Sequence, residues 1–245
     1  MITKNGSGKD FGSFQKGKNI PAETAALALD VDLLDSAASL TLSGTGSSDT
    51  LLGGQADDVL SGSAGSDVLA GFDGDDFLNG GGGSDTLIAS GGADTLFGSA
   101  NADTLFALVA GVTLDGGSGA DQLFLDLEQI NRDVADGFDP VVIRGFNGDA
   151  DTLTVIASDA VGRTDVRLIP GTGSNDGDSL LVLNTNDRIL AIITNNDPSD
   201  IPVTTLNKNL PTTRFGGAGD NLITGTAAGD FILAFAGNDT ITAGR

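Results

Sequence analysis

A leucine returns at every ninth position from Leu51 to Leu123, through Leu60, Leu69, Leu78, Leu87, Leu96, Leu105 and Leu114, without one insertion or deletion. Two residues ahead of each stands an aspartate, at Asp49, Asp58, Asp67, Asp76, Asp85, Asp94, Asp103 and Asp121, with Val112 as the one exception. The intervening positions are glycine-rich, so each nonapeptide between Gly44 and Phe124 divides into a turn and a short strand. One inward leucine per strand cannot build a core alone, but stacked strands bury a continuous column. The spacing predicts an all-β fold, a parallel β-solenoid over 44–124.

Positions seven and nine of each repeat point outward. On alternate strands the ninth position reads Leu52, Ala70, Ile88, Phe106 and Phe124, an apolar ladder up one sheet. The other sheet reads Ser61, Asn79, Phe97 and Asp115 and is expected to be mostly solvated. The ladder calls for a cover, supplied by 1–43 or 125–197 of the same chain or by a second subunit.

Outside the repeats the pattern changes. Residues 1–43 read as an N-terminal arm, with Lys4, Lys9, Lys16 and Lys18, followed by a cap from residue 20. The alternation Ala25, Leu27, Leu29, Val31, Leu33 favours a strand there, against the helix suggested by Pro21 and the alanines. Residues 125–197 form a β-rich capping region with strands at 141–143, 153–155, 165–169, 180–183 and 189–193. The stretch 198–213, with Pro198, Pro202 and Pro211, reads as a linker. Residues 214–245 carry three further nonapeptide-like repeats, with Asn221, Asp230 and Asp239 at the acidic position. Three repeats are too few to fold alone, so they are expected to stack on this roll or on a neighbour's.

Composition sharpens the chemistry. The chain has 34 acidic and 12 basic residues, a net charge of −22, and no His, Cys, Tyr or Trp. Only Glu23 and Glu128 are glutamate, so 32 of the acids are aspartate, the short carboxylate that suits a tight turn. Nucleic acid and anionic membrane are excluded as partners by charge, and divalent cations are favoured. No apolar run reaches the length of a membrane span, and no apolar stretch near Met1 resembles a cleaved signal. Without histidine there is neither an imidazole base nor a histidine zinc site, and Gly80–Gly83 lacks the βαβ context of a dinucleotide loop. The chain is expected not to be an enzyme.

Gly53-Gly54-Gln55-Ala56-Asp57-Asp58-Val59-Leu60-Ser61 and Gly116-Gly117-Ser118-Gly119-Ala120-Asp121-Gln122-Leu123-Phe124 resemble the GGxGxDxUx repeat of RTX (haemolysin-type calcium-binding) proteins. The resemblance implies a flattened, right-handed β-roll whose turns alternate between two edges, with several calcium ions between neighbouring turns. Asp49, Asp67, Asp85, Asp103 and Asp121 would then line one edge, and Asp58, Asp76 and Asp94 the other. The fourth position departs from glycine at Ser47, Ala56, Asn101 and Ala110, and alanine tolerates positive φ poorly. The best-formed turns are therefore Gly62–Asp67, Gly71–Asp76, Gly80–Asp85 and Gly116–Asp121. The segment 143–153 resembles the stretch that follows the roll in this family. Its Asn147, Asp149 and Asp151 form either a further calcium site or an Asx turn.

Stacked turns place carboxylates about 4.8 Å apart, where each pair repels by roughly 3 kcal/mol at an effective dielectric of about 20. The roll is thus expected to fold on binding calcium, at the roughly 0.1–1 mM typical of extracellular modules. Export without a cleaved signal agrees with the family's habit. The function that follows is a secreted structural protein that self-assembles with calcium into a cell-surface layer, filament or matrix. The contacts would be the apolar outer sheet and the uncapped C-terminal repeats. The alternatives are a polysaccharide- or surface-binding, adhesin-like module, or an accessory domain of a larger secreted enzyme. Ice binding is disfavoured because Val68 and Gln122 interrupt the rank Thr50, Thr86, Thr104.

Overall fold

The computed structural model describes residues 20–21, 37–157, 166–207, 213–215, 222–224, 231–233 and 240–242. Strands β1 (Ile20–Pro21) and β2 (Thr41–Ser43) precede the nonapeptides. There follow β3 (Thr50–Gly54), β4 (Val59–Ala64), β5 (Val68–Phe72), β6 (Phe77–Gly82), β7 (Thr86–Ala89), β8 (Thr95–Ala100), β9 (Thr104–Ala107), β10 (Thr113–Ser118) and β11 (Gln122–Asp126). Even-numbered strands stack in one parallel sheet and odd-numbered strands from β3 in a second. The register step is eighteen residues, Leu60 on Leu78 in the first sheet and Leu51 on Leu69 in the second. Two leucine columns therefore face each other across the roll, and Leu60, Leu69, Leu78, Leu87, Leu96 and Leu105 are fully buried. The β-branched and aromatic residues at position seven suit a pleated surface and keep each turn short.

After β11 come α1 (Leu127–Ala135), β12 (Val141–Arg144), β13 (Thr152–Ala157), β14 (Val166–Pro170), β15 (Ser179–Leu183), β16 (Ile189–Ile193) and β17 (Val203–Asn207). β12 and β16 extend the first sheet, β13 and β17 the second, all in parallel. β15 runs antiparallel between β16 and β14 and ends the parallel stack. One core runs unbroken from Leu42 to Ile201. The pairs β18 (Thr213–Phe215) with β20 (Phe231–Leu233), and β19 (Leu222–Thr224) with β21 (Thr240–Thr242), repeat the eighteen-residue step in parallel.

Three expectations change. The region 125–197 contains a helix as well as strands. Asp126 accepts the Gln129 N–H at its start, and Leu127 and Ile130 bury one face. The stretch read as a linker, 198–213, contributes β17. Pro198 opens a short 3₁₀ turn and Pro202 precedes the strand, so neither interrupts a ladder. The middle of the outer ladder is buried, as the expected intrachain cover requires: Ala70, Ile88 and Phe106 are 1–5 % exposed and pack with the partly buried Leu52, Phe72, Leu108 and Phe124. An open apolar patch lies on the first sheet, the one expected to be solvated. There Val59 and Phe77 are 43 % and 41 % exposed, and Phe77 lies 5.5 Å from the Phe97 ring. The strand expected over Ala25–Leu33, and Asp230 and Asp239, lie outside the described residues. Among the described residues no helix is long and apolar enough to cross a membrane.

Candidate metal centres

Turns that leave the first sheet for the second form one edge and end at Asp49, Asp67, Asp85, Asp103 and Asp121. Returning turns form the other edge, ending at Asp58, Asp76, Asp94 and Val112. Each aspartate from Asp58 onward is tied to the rung before it. The N–H groups of Asp49, Asp58, Asp67, Asp76, Asp85 and Asp103 donate to Oδ1 of the aspartate eighteen residues later, at 2.7–2.9 Å. Leu40 N–H does the same for Asp58, and Asp121 N–H for Asp151. Asp151 thus continues the first-edge ladder across a thirty-residue step. Asp149 does not join it: it is exposed and its N–H closes an Asx turn onto Asn147 Oδ1.

The second carboxylate oxygen separates the turns. Oδ2 of Asp49 accepts from the Thr45 N–H and hydroxyl, that of Asp58 from the Gly54 N–H, and that of Asp151 from the Asn147 N–H. Oδ2 of Asp67, Asp76, Asp85, Asp94, Asp103 and Asp121 is buried with no hydrogen-bond partner. A methyl built on Gly62 would sit 2.3 Å from Asp67 Oδ2 and 2.6 Å from the Gly80 carbonyl oxygen. At Gly98 the same point lies 2.5 Å from Asp103 Oδ2 and 2.6 Å from the Gly116 carbonyl. Glycine is therefore required at these points, where a carboxylate of one rung and a carbonyl of the next approach the Cα closely.

Among the described residues no three Asp, Glu, His or Cys side chains converge. A cation held here would draw its remaining ligands from other oxygens, backbone carbonyls among them, an environment that suits a hard ion such as calcium and gives nothing to a thiophilic one. Calcium there would supply the positive charge that the orphaned oxygens lack. The chain's own part is to hold each carboxylate rigid through Oδ1 and to exclude water.

Burial is the main cause that raises these carboxyls from 3.8, to about 6 at Asp67, about 7 at Asp76 and Asp103, and about 8 at Asp94. Asp58, Asp85 and Asp121 are raised by the same cause. The N–H from the rung before opposes the shift in each case, and at Asp94 the Ser90 N–H adds to that opposition without completing a hydrogen bond to Oδ2. Folded values above unfolded ones mean that the calcium-free roll takes up protons on folding. The stability these carboxyls contribute is complete below about pH 4 and is lost as pH rises through about 6 to 8. In chelator, the far-UV circular dichroism signal of β-structure is therefore expected to strengthen from pH 8 to about pH 5.5. A flat profile, or one of opposite sign, would contradict the placement of these groups.

A parallel roll whose turns bury aspartates against carbonyls belongs to the calcium-dependent solenoids. The RTX calcium-binding nonapeptide repeat matches the chain over 41–69, 70–105, 112–127 and 215–245, and the chain belongs to that family. The gap at 106–111 precedes Val112, where the acidic position is lost. No curated protein matches the chain. The chain is accordingly a calcium-binding repeat protein, of a kind typically extracellular.

Sequence reasoning missed Ala89 and Ala107, which stand where the other seven repeats begin with glycine. The signal was present in the same alignment of repeats, at position one rather than position four.

Proposed function

We propose that the protein is a secreted, non-enzymatic structural element that calcium folds into a rigid roll and that then assembles with its own kind at a cell surface or in a matrix. The observation that carries the reading is the row of buried, partnerless Oδ2 oxygens, which makes the ion part of the fold rather than a transient signal. A role in structure needs no pocket with acid, base or nucleophile, and the buried carboxylates serve stacked turns instead of a cleft.

The patch Val59, Phe77 and Phe97 supports the assembly part. It is an exposed apolar patch on a sheet whose strands the roll holds in place, of the kind that marks an interface between copies. Electron microscopy and light scattering, followed while calcium rises from chelator to about 10 mM, are expected to show filaments or sheets. Phe77→Asp should abolish them while leaving the calcium-induced circular dichroism change intact. Folded, monodisperse molecules at high calcium would defeat the assembly reading.

A second reading draws on the same patch. Paired phenylalanine rings beside Asn79 and Thr95 make a small aromatic platform with polar neighbours, a surface on which a sugar ring can stack. A polysaccharide that quenches assembly and is retained by wild type but not by Phe77→Asp would favour the adhesin-like module.

A further inference from the structure

Five turns share three features: glycine at position one, left-handed backbone at positions two and four, and an Asp Oδ2 without a partner. They are Gly62–Asp67, Gly71–Asp76, Gly80–Asp85, Gly98–Asp103 and Gly116–Asp121. Position two has φ of +80° at Ser63, +75° at Phe72, +101° at Gly81, +84° at Ser99 and +90° at Gly117. Position four has φ of +124° at Gly65, +115° at Gly74, +128° at Gly83, +78° at Asn101 and +157° at Gly119. A phenylalanine or serine does not enter that region without cost, so the turn itself imposes the conformation.

The other aspartate turns differ at position two. Thr45 and Gly54 are not left-handed, and their N–H groups fill Oδ2 of Asp49 and Asp58. A backbone proton donor stands where the five turns leave the oxygen open. The Asp94 turn fails for another reason. Ala89 replaces the glycine, is fully buried, and carries the methyl that in the glycine turns would lie 2.0–2.8 Å from the aspartate Oδ2. Ser90, at its position two, is not left-handed either. A side-chain carbon thus stands beside the Asp94 carboxylate, where the other turns have only a glycine hydrogen. One repeat further on, the edge loses its aspartate at Val112, and Asp133 Oδ2 and the Asp139 carbonyl take the Ala110 and Gly111 N–H groups.

We propose that calcium loads the two edges of the roll unequally: a continuous ladder at Asp67, Asp85, Asp103 and Asp121 on one edge, against a single centre at Asp76 on the other. The proposal rests on the calcium reading above and adds which turns bind. It also gives the loaded roll a polarity of charge. Position five of the ladder edge is Ser48, Ser66, Ser84, Ala102 and Ala120, whereas on the other edge it is Asp57, Asp75, Ala93 and Gly111, with Asp73 added at position three.

The test counts calcium bound to the full chain by native mass spectrometry and titration calorimetry, with calcium as the only added ion. Ions bound elsewhere cancel because each variant is compared with wild type. Asp94→Asn is expected to leave the count unchanged, and Asp85→Asn to lower it by at least one. The double variant Ala89→Gly/Ser90→Gly gives the Asp94 turn the glycine pattern of the other five and should raise the count by one. This gain decides the matter even if Asp85→Asn fails to fold. Loss of an ion in Asp94→Asn, or no gain in the double variant, would overturn the unequal loading while leaving the calcium reading in place. A wild-type chain that takes up no calcium overturns both.

Discussion

Chelating calcium at pH 7.5 is expected to abolish most of the β-sheet circular dichroism of residues 44–124, and returning it to restore the signal. The five centres at Asp67, Asp76, Asp85, Asp103 and Asp121 each bury a carboxylate oxygen that finds no donor in the protein. A buried polar atom left unsatisfied costs about 1–3 kcal/mol, and more when charged. Five together reach about 5–15 kcal/mol, the entire stability of an ordinary domain at about 5–15 kcal/mol. Leucine burial cannot absorb a penalty of that size, because it is already committed against the chain entropy of a glycine-rich segment. Retention of full β content in chelator at this pH would show that the oxygens are satisfied in some other way.

Gly83→Ala is expected to be the most damaging single methyl in the roll. Gly83 has φ of +128°, and a Cβ there would lie 1.6 Å from the Gly65 carbonyl oxygen of the rung before. That oxygen is held in a stack of turns and belongs to backbone, so it has no rotamer through which to retreat. Strained φ and overpacking together cost roughly 3–5 kcal/mol. The measurement is the calcium concentration at the folding midpoint, which should rise several-fold or move beyond reach. Gly46→Ala is the control: nothing lies within 4 Å of its added methyl, and its effect should stay within about 1 kcal/mol. Equal effects from the two substitutions would mean that the turns are not packed as described.

The roll is legible in sequence because its two determinants are local and repeated. An inward leucine every ninth residue sets the register, and glycine before aspartate sets the turn. Leu42, one step ahead of the glycine repeats, obeys the same rule and pairs with Leu60. What was not legible depends on things that no single position encodes. Whether an aspartate oxygen is left open turns on φ at position two, and Ser63, Phe72 and Ser99 adopt the glycine-like value although their side chains argue against it. The apolar ladder showed that Ile88 and Phe106 need a cover, but which part of the molecule supplies it is a tertiary event that the pattern does not name. α1 is a helix of nine residues, short enough for its Leu127, Ile130 spacing to be lost among strands. β17 was hidden by prolines that turned out to flank it.

The alternation of successive repeats between two sheets also dictates how this chain can change length. Removing eighteen residues, such as 71–88, would lay Leu96 over Leu60 and keep every later strand in its own sheet. Removing nine would send all that follows to the opposite sheet. Leu52 and Ala70 would then part from Ile88, Phe106 and Phe124, and the covered ladder would be cut into two exposed halves. Insertions and deletions in this roll are therefore quantised in pairs of repeats, and relatives of different length should differ by multiples of a full rung.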